Sequence, residues 1–335
     1  LEFVDDVLTI ELVLGATMIV LLLEAVRRAV VPAMAYLIAA FFVYLYAAPY
    51  LPGVFYAKPV IFAEMIEMQY LITDAGIFGS ITGVSATFVA LFVIFGAFME
   101  VTKTGQFFTD LACRIAGKSN GGPAKIAVIS SGLFGSISGS AIANTVSTGA
   151  FTIPMMKKAG FRPHIAGGIE PAASIGGMFM PPIMGAGGFI MAELTGVPYS
   201  RIMLVAIFPA LMYFFSVFCM VHYEAKIHNI VGEKSKFSAM EIFKKEWFYM
   251  VPLVVITIFM LYGFSPGYSA ILGLVSCIAI SYVRKDTRIG PKRFIEASRA
   301  GTENSLKIGA TVGVIGIIIG VLTFSGLVLT FADIM

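Results

Sequence analysis

Residues 130–182 read SSGLFGSISGSAIANTVSTGAFTIPMMKKAGFRPHIAGGIEPAASIGGMFMPP, a glycine-rich, polar stretch inside a very apolar chain. It holds no run of about twenty apolar residues that could cross a bilayer undisturbed. Two short apolar arms flank a small polar centre, and the helical pattern that follows breaks at Met180-Pro181-Pro182. In hydrocarbon, irregular backbone survives only where protein or a water-filled cavity satisfies it. Membrane proteins that keep such backbone at depth use it to hold a solute or an ion.

The rest of the chain supplies the frame. Of 335 residues, 58% are hydrophobic and only 13% charged, and the mean hydropathy is +0.90. These values predict an all-α polytopic membrane protein embedded in a lipid bilayer, since a β-barrel would show short alternating segments instead of long apolar runs. The net charge of +3 says little about partners, and no nucleic acid is expected among them. Cys113, Cys219 and Cys277 are far apart and show no metal-binding spacing. No P-loop, HExxH or GxSxG occurs, so neither direct nucleotide drive nor hydrolytic chemistry is expected and the chain is read as a non-enzyme.

In chain order, residues 7–29, 30–48 and 83–101 are expected to span. Residues 49–80 form an interfacial, partly helical linker, so that 1–103 make a scaffold-type region. Residues 104–122 read as a short polar, basic connection. Arms 123–137 and 144–158 form a re-entrant hairpin (123–158) with its tip near Ser138-Gly139-Ser140. The first arm, about fifteen residues or roughly 22 Å, is too short to span. A helix over 163–197, broken at Met180-Pro181-Pro182, completes one half of a transport domain (104–200). A span at 201–222 with a polar loop to 246 follows. Residues 247–263, 266–283 and 305–331 are then three more spans, separated by a polar loop at 284–304.

The Lys and Arg residues set the orientation. Lys226, Lys234, Lys236, Lys244 and Lys245 fall in one loop, and Arg284, Lys285, Arg288, Lys292, Arg293, Arg299 and Lys307 in another. The positive-inside rule makes both loops cytoplasmic. Counting back, Arg27-Arg28, Lys103, Arg114, Lys118, Lys125, Lys157, Lys158 and Arg162 all land on the same side, and the N-terminus lands outside. Five crossings precede residue 247, so 247–335 begin a second repeat of inverted orientation, the signature of secondary transporters. That repeat would be incomplete at Met335. The start, LEFVDDVLTIEL, lacks a signal peptide, and the chain is expected to be a fragment of a larger machine.

Ser138, Gly139 and Ser140, with Asn144 and Thr145, offer hydroxyl, amide and carbonyl oxygens, neutral hard ligands that suit Na+. Small residues such as Gly135 and Gly139 also let helices pack closely, so the spacing alone leaves both roles open. Ser174, Gly176 and Gly177 stand just before Met180-Pro181-Pro182, and two interrupted elements side by side favour the ion role. Glu170, an intramembrane carboxylate, is either functional or an interfacial acid paired with Arg162 or Lys158. Gly139, Glu170, Ser174, Gly177, Pro181 and Pro182 are expected along the adjoining solute cavity. Glu100 and Glu193 read as interfacial.

The segment from Pro123 to Ser200, together with FGAFME at 95–100, MVHYEAK at 220–226 and LLLEAVRR at 21–28, resembles the large membrane subunit of TRAP (tripartite ATP-independent periplasmic) transporters, and within them the fused TAXI-type permease. The resemblance implies an elevator mechanism driven by an ion gradient, usually Na+. It implies a periplasmic binding protein that delivers an organic anion such as a carboxylate, and a small membrane subunit or its fused equivalent. It carries one Na+ site onto Ser138, Ser140, Asn144, Gly176 and Met180, with Pro181 at the break. The second hairpin and the second ion site of the family have no counterpart before Met335. Another inverted-repeat dicarboxylate transporter or exchanger, or a channel, is the alternative.

Overall fold

A computed structural model describes residues 7–73, 75–102, 104–117, 119–232, 246–284, 287–327 and 330. Lys103, Lys118, Lys234, Lys236, Lys244, Lys245 and Lys285, and residues 331–335, lie outside the described residues, so the orientation drawn from those lysines rests on the sequence. Among the described residues every regular element is helical. They divide into two compact units, Leu1–Thr87 with Glu303–Met335, and Phe88–Thr302.

In the first unit, α1 (Thr9–Ala29) and α2 (Pro32–Ala47) pack side by side. Glu24, Arg27 and Arg28 close α1 with ion pairs, and Pro32 opens α2 where its missing N–H costs nothing. Between residues 48 and 80 run two 3-10 turns and α3 (Phe62–Ile66), which continues as a π-helical turn over Glu67–Leu71. Ile19, Val26, Ile38, Leu45, Ile66 and Ile317 share the core of this unit. Gln69 is buried in it, donating from Nε2 to the Ile317 carbonyl at 3.2 Å.

α4 (Ser80–Val101) is long and apolar. It is followed by α5 (Thr104–Ala116), where the sequence suggested only a polar connection. Its polar residues hide an apolar face. Phe107, Phe108, Ala112 and Ala116 are buried, and this face lies on the next helix, where Ile126 shares a core with Ala112 and Ala116. The hairpin consists of α6 (Gly122–Ser138) and α7 (Ala141–Lys158), of 17 and 18 residues. At 1.5 Å per residue the arms reach about 26 and 27 Å, still short of a bilayer core of about 30 Å. α8 (Pro163–Gly177) and α9 (Ala186–Thr195) are the two halves of the broken helix.

α10 (Tyr199–Ile227) is a long apolar helix, five residues longer at its far end than the expected span. α11 (Trp247–Leu261) and α12 (Pro266–Ser281) form a tight antiparallel pair, and Gly263 takes φ 87° in the turn between them. α13 (Pro291–Phe324) runs for 34 residues. Residues 291–304 are therefore helix and not loop. Lys292, Arg293 and Arg299 are carried on the first turns of a continuous helix, whereas Arg284 and Arg288 precede it. In all, five of the described helices (α1, Pro32–Tyr50, α4, α10 and α13) are long and apolar enough to cross a membrane.

Within the second unit, α6, α7 and α8 pack mutually, with α10 against α6 and α8. Ala124, Met156, Phe161, Ala166, Val221 and Ala225 gather the start of α6, the end of α7, the start of α8 and the end of α10 around one core. Two polar contacts seal that end: Arg162 to Glu224 at 2.7 Å, and Lys125 Nζ donating to His222 Nδ1 at 3.2 Å.

Candidate ion site at the hairpin tip

The tip is built from two opposed helix-end signals. Gly139 takes φ 60°, a left-handed conformation that glycine enters without steric cost, and so ends α6. Ser140 then starts α7, its Oγ accepting the Ala143 N–H at 3.3 Å, which satisfies one of the orphan donors of the new helix. Ser138 turns back on the same loop and donates to the Ser140 carbonyl at 3.4 Å.

The break between α8 and α9 lies against this tip. The N–H groups of Met178, Phe179 and Met180 fold back on the carbonyls of Ile175, Gly176 and Gly177. The Pro181–Pro182 peptide is cis, and the Gly185 N–H donates to the Met178 carbonyl at 2.8 Å. Tyr199, at the start of α10, reaches the carbonyls of Pro182 and Ile183 with its hydroxyl and stacks on Phe189 with ring centroids 4.2 Å apart. A Cβ built on Gly139 would stand 3.0 Å from the Met184 carbonyl oxygen, and one on Gly185 would stand 3.4 Å from the Gly139 carbonyl oxygen. Backbone of tip and backbone of break are thus in direct contact. A space of about 10 Å³ lies between Ser138, Gly139, Met184, Gly185 and the rings of Phe92 and Phe189, room for one water-sized occupant.

The named residues do not all converge on that space. Ser138, Gly139 and Ser140 form the tip, and Met180, Pro181 and Pro182 form part of the break, half-buried. Thr145 is half-buried on α7. Asn144 is fully buried and donates from Nδ2 to the Ser131 carbonyl at 2.7 Å, so its amide ties the two arms together one turn from the tip. Gly177 lies on Gly135 of α6, whereas a Cβ on Gly176 would strike Tyr213 and Phe214 of α10. Gly176 therefore gives its side-chain face to helix packing. Ser174, one turn before Gly177, is fully buried and its Oγ has no hydrogen-bond partner among the described residues. An unsatisfied buried hydroxyl costs about 1–3 kcal/mol. The Ser138 hydroxyl and the carbonyls around the tip are neutral hard oxygens, a donor set that fits a monovalent cation, whereas Ser174 does not line that space.

Glu170 is fully buried. Among the described residues it pairs with neither Arg162, which is taken by Glu224, nor Lys158. Instead it accepts from three hydroxyls: Ser131 on α6 at 2.5 Å, Thr152 on α7 at 2.5 Å, and Thr148 on α7. Sequence reasoning missed this group, although Asn144, Thr148 and Thr152 recur every four residues and so share one face of α7. Glu100 also has a partner, the Ser147 hydroxyl at 2.7 Å, and borders a cavity of about 580 Å³ that Gln106, Thr109, Asp110 and Thr148 also line.

Comparison with known proteins adds the family context. Residues 17–335 match the family described as "Tripartite ATP-independent periplasmic transporter, DctM component". A Haemophilus influenzae protein named as a TRAP transporter large permease is 25% identical over 223 residues, covering 66% of this chain and 51% of the relative. The C4-dicarboxylate TRAP transporter large permease protein DctM of Vibrio cholerae is 26% identical over 211 residues, 61% of this chain and 45% of its own length. The sialic acid TRAP transporter permease protein SiaT of Haemophilus influenzae is 24% identical over 242 residues, 71% and 38% respectively. The chain spans about half the length of the curated relatives it matches.

Proposed function

The chain belongs to the DctM family of tripartite ATP-independent periplasmic transporters, and on that footing we propose that it is the permease part of a Na+-coupled secondary transporter. The family is one of transporter permeases and not of enzymes. The proposed cargo is an organic anion, handed over by a periplasmic binding protein. The relatives' names support a carboxylate, since C4-dicarboxylate and sialic acid both carry one. A small membrane subunit, separate or fused as in the TAXI type, completes the assembly. The chain sits in the inner membrane with its N-terminal end outside, the hairpin enters from the cytoplasm, and the second unit carries the moving ion site of an elevator.

The observation that carries the ion assignment is the contact of Gly139 with Met184 and Gly185, two interrupted elements that face each other with backbone oxygens. Half-helix ends arranged in this way are how membrane transporters hold a coupling ion. Uptake by the full-length transporter in liposomes tests the assignment, with labelled C4-dicarboxylates and sialic acid as the solutes. Uptake that needs both an inward Na+ gradient and added binding protein is the expected result. Uptake that proceeds without Na+ would overturn the coupling, and uptake without the binding protein would overturn the partner.

A further inference from the structure

We propose that the groove between α5, α6 and α7, with Lys158 at one end, holds the headgroup and upper acyl chain of an anionic phospholipid from the surrounding bilayer. The groove measures about 640 Å³, within the range of roughly 300–1,000 Å³ of small-molecule sites. Its walls are apolar: Cys113 of α5, Ile126 of α6, and Phe151 and Met155 of α7 face it. Behind them lies the small core of Ala112, Ala116 and Ile126, on which Cys113 and Met155 pack. Burial raises the Cys113 thiol, so it stays neutral and serves as apolar wall. Phe151 is 75% exposed. A free inorganic anion would leave these surfaces wet, whereas a hydrocarbon chain covers them.

The charge in the groove has one sign. Lys158 lines it, and none of the ion pairs among the described residues uses that lysine. Pro123, the second residue of α6, lines it too and brings the positive end of that helix to the same wall. Glu100 and Asp110 border the neighbouring cavity, which shares Phe151, and neither carboxylate lines the groove. Lys157 and Lys158 both complement the C-terminus of α7, but of the two only Lys158 borders the groove.

Charge and apolar wall are separated along α7 as they are along a lipid. From Ala150 to Lys158 the helix rises about 12 Å. The headgroup layer adds about 5–7 Å to each face of a hydrocarbon core of about 30 Å. A cation at headgroup depth, with apolar wall continuing several ångströms deeper, matches an anionic amphipath standing upright in one leaflet. On the proposed orientation, on which the choice of leaflet rests, this is the cytoplasmic one, whose anionic lipids are drawn to basic pockets between spanning helices. A lipid seated there bridges α5 to both arms of the hairpin at the end that Arg162 and Glu224 also seal.

Photo-crosslinking of the purified full-length transporter in phosphatidylcholine nanodiscs tests the site. The probe is phosphatidylglycerol with a diazirine in one acyl chain. Cross-links should fall on Cys113, Ile126 or residues 150–159, and unlabelled phosphatidylglycerol should compete several-fold better than added phosphatidylcholine. Lys158→Gln should cut the yield several-fold and erase this preference, Lys158→Arg should keep it, and Ala150→Trp, at an exposed position of the wall, should block the groove. Cross-links confined to other segments, equal competition by the two lipids, or an unchanged yield in Lys158→Gln would overturn the proposal. Competition by inorganic phosphate would overturn it as well, by assigning the groove to a free anion. Should Lys158→Gln fail to fold, the map and the competition in the parent decide alone. The nanodiscs are symmetric and contain neither Na+ nor binding protein, so failure of this site and failure of the proposed transport cycle or orientation remain distinguishable.

Discussion

Gly135 of α6 and Gly177 of α8 meet backbone to backbone: a Cβ built on Gly177 would lie 2.5 Å from the Gly135 Cα and 2.9 Å from its carbonyl carbon. No flexible side chain can yield there, because the colliding atoms belong to a helix. This approach brings the hairpin and the broken helix together just ahead of the tip. Gly177→Ala should force the helices apart and cost about 1–3 kcal/mol. Gly167→Ala and Gly168→Ala, on the same helix with open space around each built Cβ, should be neutral or gain about 0.5–1 kcal/mol from the better helix former. Thermal unfolding in detergent separates these outcomes.

Asn144→Ala removes the amide that satisfies the Ser131 carbonyl. A buried acceptor is then left bare, at about 1–3 kcal/mol, and the two arms lose their tie beside the tip. Na+ activation of the full-length transporter should weaken. Unchanged Na+ activation in this variant would remove Asn144 from the site.

Tyr199→Phe keeps the stacking on Phe189 and deletes only the hydroxyl that reaches Pro182 and Ile183. The break should loosen while α10 remains formed. Limited proteolysis should then show faster cleavage between α8 and α9 than in the parent, and equal rates elsewhere.

Asp110 gives a pH prediction. It lies on α5, which is not among the membrane-length helices. Burial, then the charge of Glu246, raises its carboxyl above the ordinary range, against the pull of Arg114. A raised folded value means the protonated acid favours the fold. The contribution is present below the ordinary Asp value of about 3.9 and is lost as pH rises through the raised one. Asp110→Asn should flatten this part of the stability profile, and a variant with the parent's pH slope would contradict it.

Helix ends were the most legible part of the chain. Pro123, Pro163 and Pro266 each open a helix within two residues of the predicted start, because proline at a first turn loses no hydrogen bond. Met180-Pro181-Pro182 marks a real interruption. One helix and the start of another stayed hidden for one shared reason. In α5 and in the first turns of α13, polar and basic residues mask the pattern, and burial of one face becomes visible only once a neighbour is in place. The pairing of Glu170 with Ser131, Thr148 and Thr152 needed three helices at once, which no local spacing reports. Gln69 likewise drew no notice in sequence, since its partner Ile317 lies 248 residues away.

Equilibrium binding of radiolabelled Na+ to the purified full-length transporter tests the central claim most directly, with Ser138→Ala beside the parent. Saturable binding in the parent, weakened about tenfold in the variant, a change worth about 1.4 kcal/mol, is the predicted result. Absence of saturable binding, or equal affinity in both proteins, would contradict an ion site between the hairpin tip and the broken helix.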